Sequence, residues 1–336
     1  MAIIDVFPGS PAAIQDAVDL ANEGDVILVH RGTYHESVRL HGNKNNLRIV
    51  AKHKHRVILD GKHGLPEAFV LDSIAGVEIA GFRIKNYVTG GIRILNGKSH
   101  RILENQISEM SGVRGDIRAF GIFVNHSEGN LLMKNKIERI GRAEAGNGIQ
   151  IDDSIGTWVL RNKLLNNYLH GVEVALGFHN AIAGNQISGN KREGIMISGS
   201  DNNLFLDNKL KRNGENGLFA RSTNNYMIGS DIKDNRLNGL QLTFNYNMAF
   251  NNKIKNNRQS GLSILSDFND IQQNKIEKNR SNGVVIHPSH TANFVFENKF
   301  KNNKPQNMKD QGVDNNILQN DSDERYRDNY CPQQRL

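Results

Sequence analysis

The stretch GNGIQIDDSIGT, residues 146–157, contains the unit that decides the fold of this chain. Its core is a glycine followed by an apolar-x-apolar triplet. This unit occurs nine times, as GIRI (91–94), GIFV (121–124), GIQI (148–151), GVEV (171–174), GIMI (194–197), GLFA (217–220), GLQL (239–242), GLSI (261–264) and GVVI (283–286). Successive glycines are 30, 27, 23, 23, 23, 22, 22 and 22 residues apart. The sequence is therefore an internal repeat whose period settles at 22–23 residues.

The unit has the alternation of a short β-strand. Ile149 and Ile151 point to one side and Gln150 to the other, because successive side chains of a strand alternate. Such a strand is too short to form a core alone, but stacking one coil per repeat places equivalent strands ~4.8 Å apart in a parallel sheet. A second set of Asn-rich triplets, such as NKL (162–164), lies between the units. Gly and Asn are expected at the corners, where they tolerate positive φ, and stacked Asn side chains are expected to hydrogen-bond along the axis.

The N-terminal residues are predicted to cover the open end of this solenoid, since an exposed core and sheet edge need a cap. Ser10 is expected to be the N-cap of a helix, and Ile14, Ala17, Val18 and Ala21 form its apolar stripe. The predicted organisation has three parts: residues 1–45 form the cap helix and first strands, 46–305 the β-helix, and 306–336 a polar C-terminal tail or partial coil.

Charge and composition limit the partners. The chain has 336 residues, a net charge of +7 and a sequence pI near 9.4, so its surface either attracts anionic polymers or merely aids solubility. Lys and Arg occur in every coil without a dense patch interleaved with aromatics, which makes nucleic acid an improbable partner. No apolar run approaches the ~20 residues of a membrane span. The first residues lack the pattern of a signal peptide, which favours the cytoplasm, although a chain whose signal had been removed would look the same.

Residues 14–38, IQDAVDLANEGDVILVHRGTYHESV, followed by VILDG (57–61), resemble the cap and first coils of the pectin-lyase-like right-handed parallel β-helix superfamily. The Gly- and Asn-rich coils are similar to the carbohydrate-binding and sugar-hydrolase repeats also found in NosD-type and mannuronan-epimerase-like proteins. The resemblance covers about residues 3–305. It implies an all-β, single-stranded right-handed β-helix, an extracellular or cell-surface location, and hydrolysis, β-elimination, epimerisation or simple binding of polysaccharides.

The two longest intervals mark a candidate site. Their extra residues, 108–120 and 139–147, are expected to form charged loops that wall a groove, although insertions are also tolerated wherever a chain meets solvent. Titratable residues gather on the coils that follow. The candidate catalytic residues are Asp152, Asp153, Glu173 and His126. The candidate substrate-binding residues are Arg93, Arg118, Phe123, Gln150, His170 and Arg142.

Several chemistries remain open for these residues. Asp152 and Glu173 should have Cα atoms ~8 Å apart, which is compatible with the carboxyl pair of a glycosidase. A lyase or epimerase would need a base, His126 or His170, and a cation near the sugar carboxylate. The catalytic motifs of polygalacturonases and mannuronan epimerases are absent, since this chain has DDSIG at 152–156. The Asp pair is therefore equally compatible with a solvated turn, or with part of a Ca²⁺ site.

The leading hypothesis is a carbohydrate-active protein that binds an anionic polysaccharide near coils 93–173 and cleaves or epimerises it. The alternative is a non-catalytic structural or adhesion scaffold. A homotrimer is compatible with an exposed β-helix, but no residue of the sequence demands one.

Overall fold

Three parallel sheets run along the molecule in the computed structural model, which describes residues 1–112, 119–142 and 145–322. A coil contributes one strand to each sheet, and each strand pairs with its counterparts in the neighbouring coils. The parallel β-helix predicted from the repeat is thus confirmed. We call the sheets sheet 1, sheet 2 and sheet 3 in the order in which a coil visits them. The first corner joins sheet 1 to sheet 2, the second joins sheet 2 to sheet 3, and the third returns to sheet 1.

Sheet 1 contains the Gly-apolar-x-apolar units. Its strands are Val38–Leu40, Glu67–Asp72, Gly90–Leu95, Ala119–Asn125, Gly146–Asp152, Val172–Ala175, Ile195–Ser198, Leu218–Arg221, Leu240–Leu242, Leu262–Ile264, Val284–Ile286 and Met308–Asp310. The strands of sheet 2 are Ile3–Val6, Val26–Val29, Arg48–Ala51, Glu78–Ala80, Arg101–Leu103, Leu131–Met133, Trp158–Leu160, Ala181–Ala183, Leu204–Leu206, Tyr226–Ile228, Met248–Phe250, Asp270–Gln272, Phe294–Phe296 and Asn316–Leu318. The strands of sheet 3 are Gly32–Tyr34, Val57–Asp60, Arg83–Lys85, Gln106–Ser108, Lys136–Glu138, Lys163–Leu165, Gln186–Ser188, Lys209–Lys211, Asp231–Lys233, Lys253–Lys255, Lys275–Glu277, Lys299–Lys301 and Asp321–Ser322.

The core is a set of aliphatic columns, one or two from each sheet. Ile149 of sheet 1, Val159 of sheet 2 and Leu164 of sheet 3 have no exposed surface, and their equivalents in neighbouring coils are also buried. Each buried aliphatic side chain contributes roughly 1.5–3 kcal/mol through removal from water. Stacking is what makes this burial possible, because no coil encloses its own core.

The repeated glycines have a different cause from the one expected. Gly148 and Gly171 do not have positive φ. A Cβ added to Gly148 would lie 2.5 Å from the carbonyl oxygen of Gly171 and 2.9 Å from Nδ2 of Asn167. Glycine is therefore required by close approach of the next coil, and the expectation of positive φ was wrong at these two positions.

Asn side chains form ladders at all three corners, as predicted. At the second corner, Oδ1 of Asn185 accepts from the backbone N–H of Asn162 at 2.8 Å, and Asn162 Nδ2 donates to the same atom at 3.1 Å. Asn185 in turn donates to Oδ1 of Asn208 at 3.0 Å. These side chains are buried, so the ladder satisfies backbone groups that would otherwise be desolvated without a partner.

A short helix, α1 (Ala13–Leu20), packs against the first coils through Ile14, Ala17 and Val18. Its N-cap is Ala12 rather than Ser10, and Ala12 provides no side-chain cap. The carboxylate of Glu36 accepts from the N–H groups of Ile14 at 3.1 Å and Gln15 at 2.9 Å. The expected local cap is thus replaced by a carboxylate from the first coil, which satisfies the free N–H groups of the helix.

Candidate functional site

The outward face of sheet 1 carries the residues singled out in the sequence. Paired Cα positions place Arg93 beside Phe123, Phe123 beside Gln150, and Gln150 beside Glu173. Two residues further along the strands, Asp152 lies beside Asn125 and Ala175. The offset of one coil and two residues between Asp152 and Glu173 is therefore as predicted.

Both carboxylates are held by amide side chains. Nε2 of Gln150 donates to Oδ2 of Asp152 at 2.7 Å, and Nδ2 of Asn147 donates to Oε2 of Glu173 at 2.5 Å. Asn147 also donates to Oε1 of Gln150 at 3.2 Å, which joins the two carboxylates in one network. Asn147 is buried, whereas Gln150, Asp152 and Glu173 are half-buried at the surface of the sheet. This network fixes two half-buried acidic groups on neighbouring coils.

The adjacent Asp153 belongs to a different cluster. It has positive φ at the first corner, and its Oδ2 lies 2.9 Å from Nε2 of His126. The other ring nitrogen of His126 is 2.8 Å from Oδ1 of Asn125. Both members of the pair line a groove of about 790 Å³ along the first corner, which also includes Asn96 and Lys98. Asp152 and Asp153 are thus divided between the sheet and the corner.

Arg93 is already engaged within the protein. Its Nε donates to Oε1 of Glu67 at 2.7 Å, and its guanidinium carbon lies 4.8 Å from the ring centre of Phe120 and 5.4 Å from that of Phe123. The two rings are 5.3 Å apart. Phe123 therefore contacts both Arg93 and Phe120 and pairs with Gln150 of the next coil.

A cluster of His170, Glu193 and Glu215 was only partly identified from the sequence, which gave His170 but neither glutamate. His170 and Glu193 are buried at the third corner, with Nδ1 of His170 3.1 Å from Oε2 of Glu193. Burial opposes ionisation of Glu193, but hydrogen bonds with His170 and Glu215 outweigh it and lower its pKa to about 2. Burial raises the pKa of Glu215, and the hydrogen bond and negative charge of Glu193 add to this effect. Within this carboxyl pair, a proton is therefore bound more readily by Glu215 than by Glu193.

The position of each missed residue explains why it was overlooked. Glu193 directly precedes the glycine of its unit, as His170 does, and the hydrogen bonds Gly148 N to His170 O and Gly171 N to Glu193 O place them in adjacent coils. Asn147 occupies the equivalent position one coil earlier and accepts from the N–H of His170 at 3.2 Å. A column drawn through the residue before each glycine would have revealed Asn147, His170 and Glu193, whereas Glu215 lies two residues before Gly217 and falls outside it.

Arg142 lies apart from the carboxylates. It lines a pocket of about 400 Å³ at the third corner together with Arg139, Tyr168 and Lys191. Nζ of Lys191 is 5.7 Å from the ring centre of Tyr168. Arg118, the remaining candidate for substrate binding, is outside the described residues.

Metal ligation has no support in the described residues, where no three His, Cys, Asp or Glu side chains converge. Asp152 and Asp153 in particular have different partners, Gln150 and His126 respectively. No helix in the part of the chain that the structure describes is long and apolar enough to cross a membrane.

Two family models match the sequence. One is described as a periplasmic copper-binding protein (NosD) and matches residues 142–331. The other is described as a right handed beta helix region and matches residues 38–210. Each match covers more than half of the chain, and the resemblance to right-handed β-helix proteins is confirmed. No curated protein sequence is significantly similar to the chain.

Solved structures with the same fold include several enzymes. The periplasmic alginate epimerase AlgG has a TM-score of 0.70 at 14% identity, over 95% of this chain and 83% of that protein. A mannuronan C-5 epimerase A-module from Azotobacter vinelandii has a TM-score of 0.52 at 14% identity, over 95% of this chain and 100% of the module. DFA-IIIase from Arthrobacter chlorophenolicus has a TM-score of 0.62 at 14% identity, over 88% of this chain and 94% of that protein. At this identity, the likeness concerns the fold.

Proposed function

This chain belongs to the NosD family and to the right-handed β-helix family, and we propose that it is a carbohydrate-active protein. It binds an anionic polysaccharide along the outward face of sheet 1, near coils 93–173, and cleaves or epimerises it. The observation that carries the proposal is the network in which Asn147 and Gln150 hold the carboxylates of Glu173 and Asp152 on neighbouring coils. Two epimerases of similar fold act, by their descriptions, on alginate and mannuronan.

The candidate reactions all require proton transfer. Epimerisation and β-elimination both begin with removal of the proton next to the sugar carboxylate, and hydrolysis requires an acid for the leaving oxygen. Asp152 and Glu173 are the candidate bases on the face of the sheet. Glu215, whose pKa is raised by burial and by neighbouring Glu193, is the candidate acid at the edge of that face. Phe123 is positioned to contact a sugar ring, and His126 with Asp153 would contact a chain that reaches the first corner.

A location outside the cytoplasm is part of the proposal, since the NosD model is described as periplasmic and AlgG is a periplasmic enzyme. The copper in the family description does not enter the mechanism. The described residues provide no set of three converging ligands for it.

The test is a panel of alginate, polygalacturonate and neutral dextran, scored for binding, reducing ends, unsaturated products and inversion at C5. The wild-type chain is expected to convert a uronate polymer. A double variant, Asp152→Asn with Glu173→Gln, keeps the size and hydrogen bonding of both side chains but should lower conversion by at least about 100-fold, the contribution of an acid or base group.

A matched control removes the same two charges elsewhere. Asp207→Asn with Glu297→Gln alters exposed carboxylates at the second corner, away from sheet 1, and should retain full conversion. Unchanged conversion in the Asp152 and Glu173 variant would exclude the catalytic role. Binding without conversion of any polymer would favour the scaffold alternative.

A further inference from the structure

Most basic side chains of the later coils lie on one face of the molecule. They occupy the outward positions of sheet 3 and the adjoining third corner between residues 209 and 304. We call this set the basic face, and its fourteen cations are Lys209, Lys211, Arg212, Lys233, Arg236, Lys253, Lys255, Arg258, Lys275, Lys278, Arg280, Lys299, Lys301 and Lys304. Four acidic residues accompany them, namely Glu215, Asp231, Asp234 and Glu277. The surplus of ten positive charges exceeds the +7 of the whole chain, so positive charge is concentrated here.

Stacking forces some of these cations into direct opposition. The backbone N–H of Arg258 bonds to Asn235 O at 3.0 Å, and that of Arg280 bonds to Asn257 O at 2.9 Å. Arg236, Arg258 and Arg280 therefore occupy equivalent positions in consecutive coils, ~4.8 Å apart. All three are exposed, and none forms an ion pair with a carboxylate among the described residues. Like charges on neighbouring coils repel one another, and an external anion would relieve this repulsion.

The chemistry of the basic face selects among polyanions. The outward residues of the sheet 3 strands from Lys209 to Lys301 are Lys, Asp and Glu, and none is aromatic. Single-stranded nucleic acid surfaces add aromatic side chains on which bases stack, and membrane-binding faces add apolar residues that enter the lipid. Neither type accompanies these cations. A row of cations repeated along a straight axis instead matches a linear polymer with one negative charge per sugar.

The third-corner column connects the basic face to the candidate site. Backbone hydrogen bonds from Lys191 to Asn167 and from Gly214 to Asn190 place Tyr168, Lys191 and Gly214 in the same column as Arg236. That column begins at the pocket of about 400 Å³ lined by Tyr168 and Lys191, beside the coils that contain His170 and Glu193. A polymer lying on sheet 1 at these coils thus has a cationic path toward the C-terminal coils.

We propose that the basic face is a second binding surface for an acidic polysaccharide, on which a polymer held at sheet 1 continues. The identity of the polymer rests on the proposed function. The surface itself rests on the charge distribution and on the stacked arginines. Binding here is electrostatic, so it weakens steeply with salt.

The test compares two triple variants of the full chain. The first variant removes the stacked arginines from the basic face by combining Arg236→Gln, Arg258→Gln and Arg280→Gln. The second variant is the control and removes the same charge from exposed positions in the first coils by combining Arg31→Gln, Arg56→Gln and Lys62→Gln. Affinity for alginate and polygalacturonate at low salt should fall at least about tenfold in the first variant and stay within about twofold in the second.

Four outcomes bear on the proposal. Equal losses in the two variants would overturn it, because net charge alone would then explain binding. Tighter binding of single-stranded DNA or of vesicles containing anionic phospholipid than of either uronate polymer would also overturn it. A selective loss of uronate binding supports it. The Asp152→Asn and Glu173→Gln variant separates the two proposals, since it should lose conversion while its affinity at the basic face persists.

Discussion

His100 is a buried titratable residue within an Asn ladder, and it makes stability depend on pH. Its ring Nδ1 accepts from the backbone N–H of Val77 at 3.1 Å, and its backbone N–H donates to Oδ1 of Asn130 at 3.0 Å. Burial lowers the pKa of His100 from 6.5 to about 4. Between these two pKa values the unfolded chain binds more protons than the folded chain. The contribution of His100 to stability is therefore fully present above pH 6.5 and is lost as the pH falls toward 4.

Between pH 6.5 and pH 4, the free energy of unfolding of the wild type should fall by up to roughly 3 kcal/mol. Urea unfolding at several pH values measures this fall, and His100→Asn is the variant for comparison. Asn is the usual ladder residue and supplies the acceptor that Val77 needs without a titrating group. The variant should lose less stability on acidification than the wild type, whatever its stability at neutral pH. Parallel profiles for the two proteins would contradict the assignment.

At the residue scale, the sequence predicted the side to which a side chain points better than it predicted the residues that the side chain contacts. Alternation placed Gln150 and Glu173 outward and in one column, as observed. It could not separate Asp152 from Asp153, because the turn to positive φ at Asp153 depends on the stacking of whole corners. It also gave no sign of the carboxyl pair of Glu193 and Glu215, whose altered pKa values arise from burial and contact between coils.

At the scale of the element, the second-corner ladder predicts a graded response at Asn185. Asn185→Ala removes the acceptor of the buried Asn162 N–H and the donor to Val159 O, and should lower the free energy of unfolding by about 2–4 kcal/mol. The ladder already contains a serine, because Ser230 Oγ accepts from the N–H of Asn208 at 3.2 Å. Asn185→Ser should therefore lose less than half as much in thermal or urea unfolding. Equal losses would mean that the ladder acts through packing alone.

The strands and the helix could be predicted from the sequence wherever the local hydrophobic pattern agrees with the stacking of the coils. The strand triplets and the apolar stripe of α1 were predictable from periodicity alone. The cap of α1 was not, since Glu36 reaches it from a coil that follows the helix in the chain. The repeated glycines were predictable as positions, but their cause is the carbonyl oxygen of the next coil, which only the assembled solenoid brings close.

At the scale of the whole molecule, charge distribution could not be obtained from composition. Lys and Arg are spread through every coil of the sequence, and this pattern argued against a dense patch. When the coils stack in register, a residue that recurs once per coil always lies on the same side of the molecule. Lysines and arginines that are spread along the sequence therefore come together in the basic face. The net charge of +7 therefore understates the local field.

This field predicts that the folded protein is stabilised by salt. Repulsion within the basic face acts between exposed groups on neighbouring coils, and it is screened as the Debye length shrinks from ~10 Å at 0.1 M salt to ~3 Å at 1 M. The midpoint of thermal unfolding should rise over this range of sodium chloride. In the Arg236→Gln, Arg258→Gln and Arg280→Gln variant the rise should be smaller, and stability at low salt should exceed that of the wild type by about 1 kcal/mol. The Arg31→Gln, Arg56→Gln and Lys62→Gln variant should keep the wild-type salt dependence, and a reduced dependence there would show that the repulsion is spread over the whole surface.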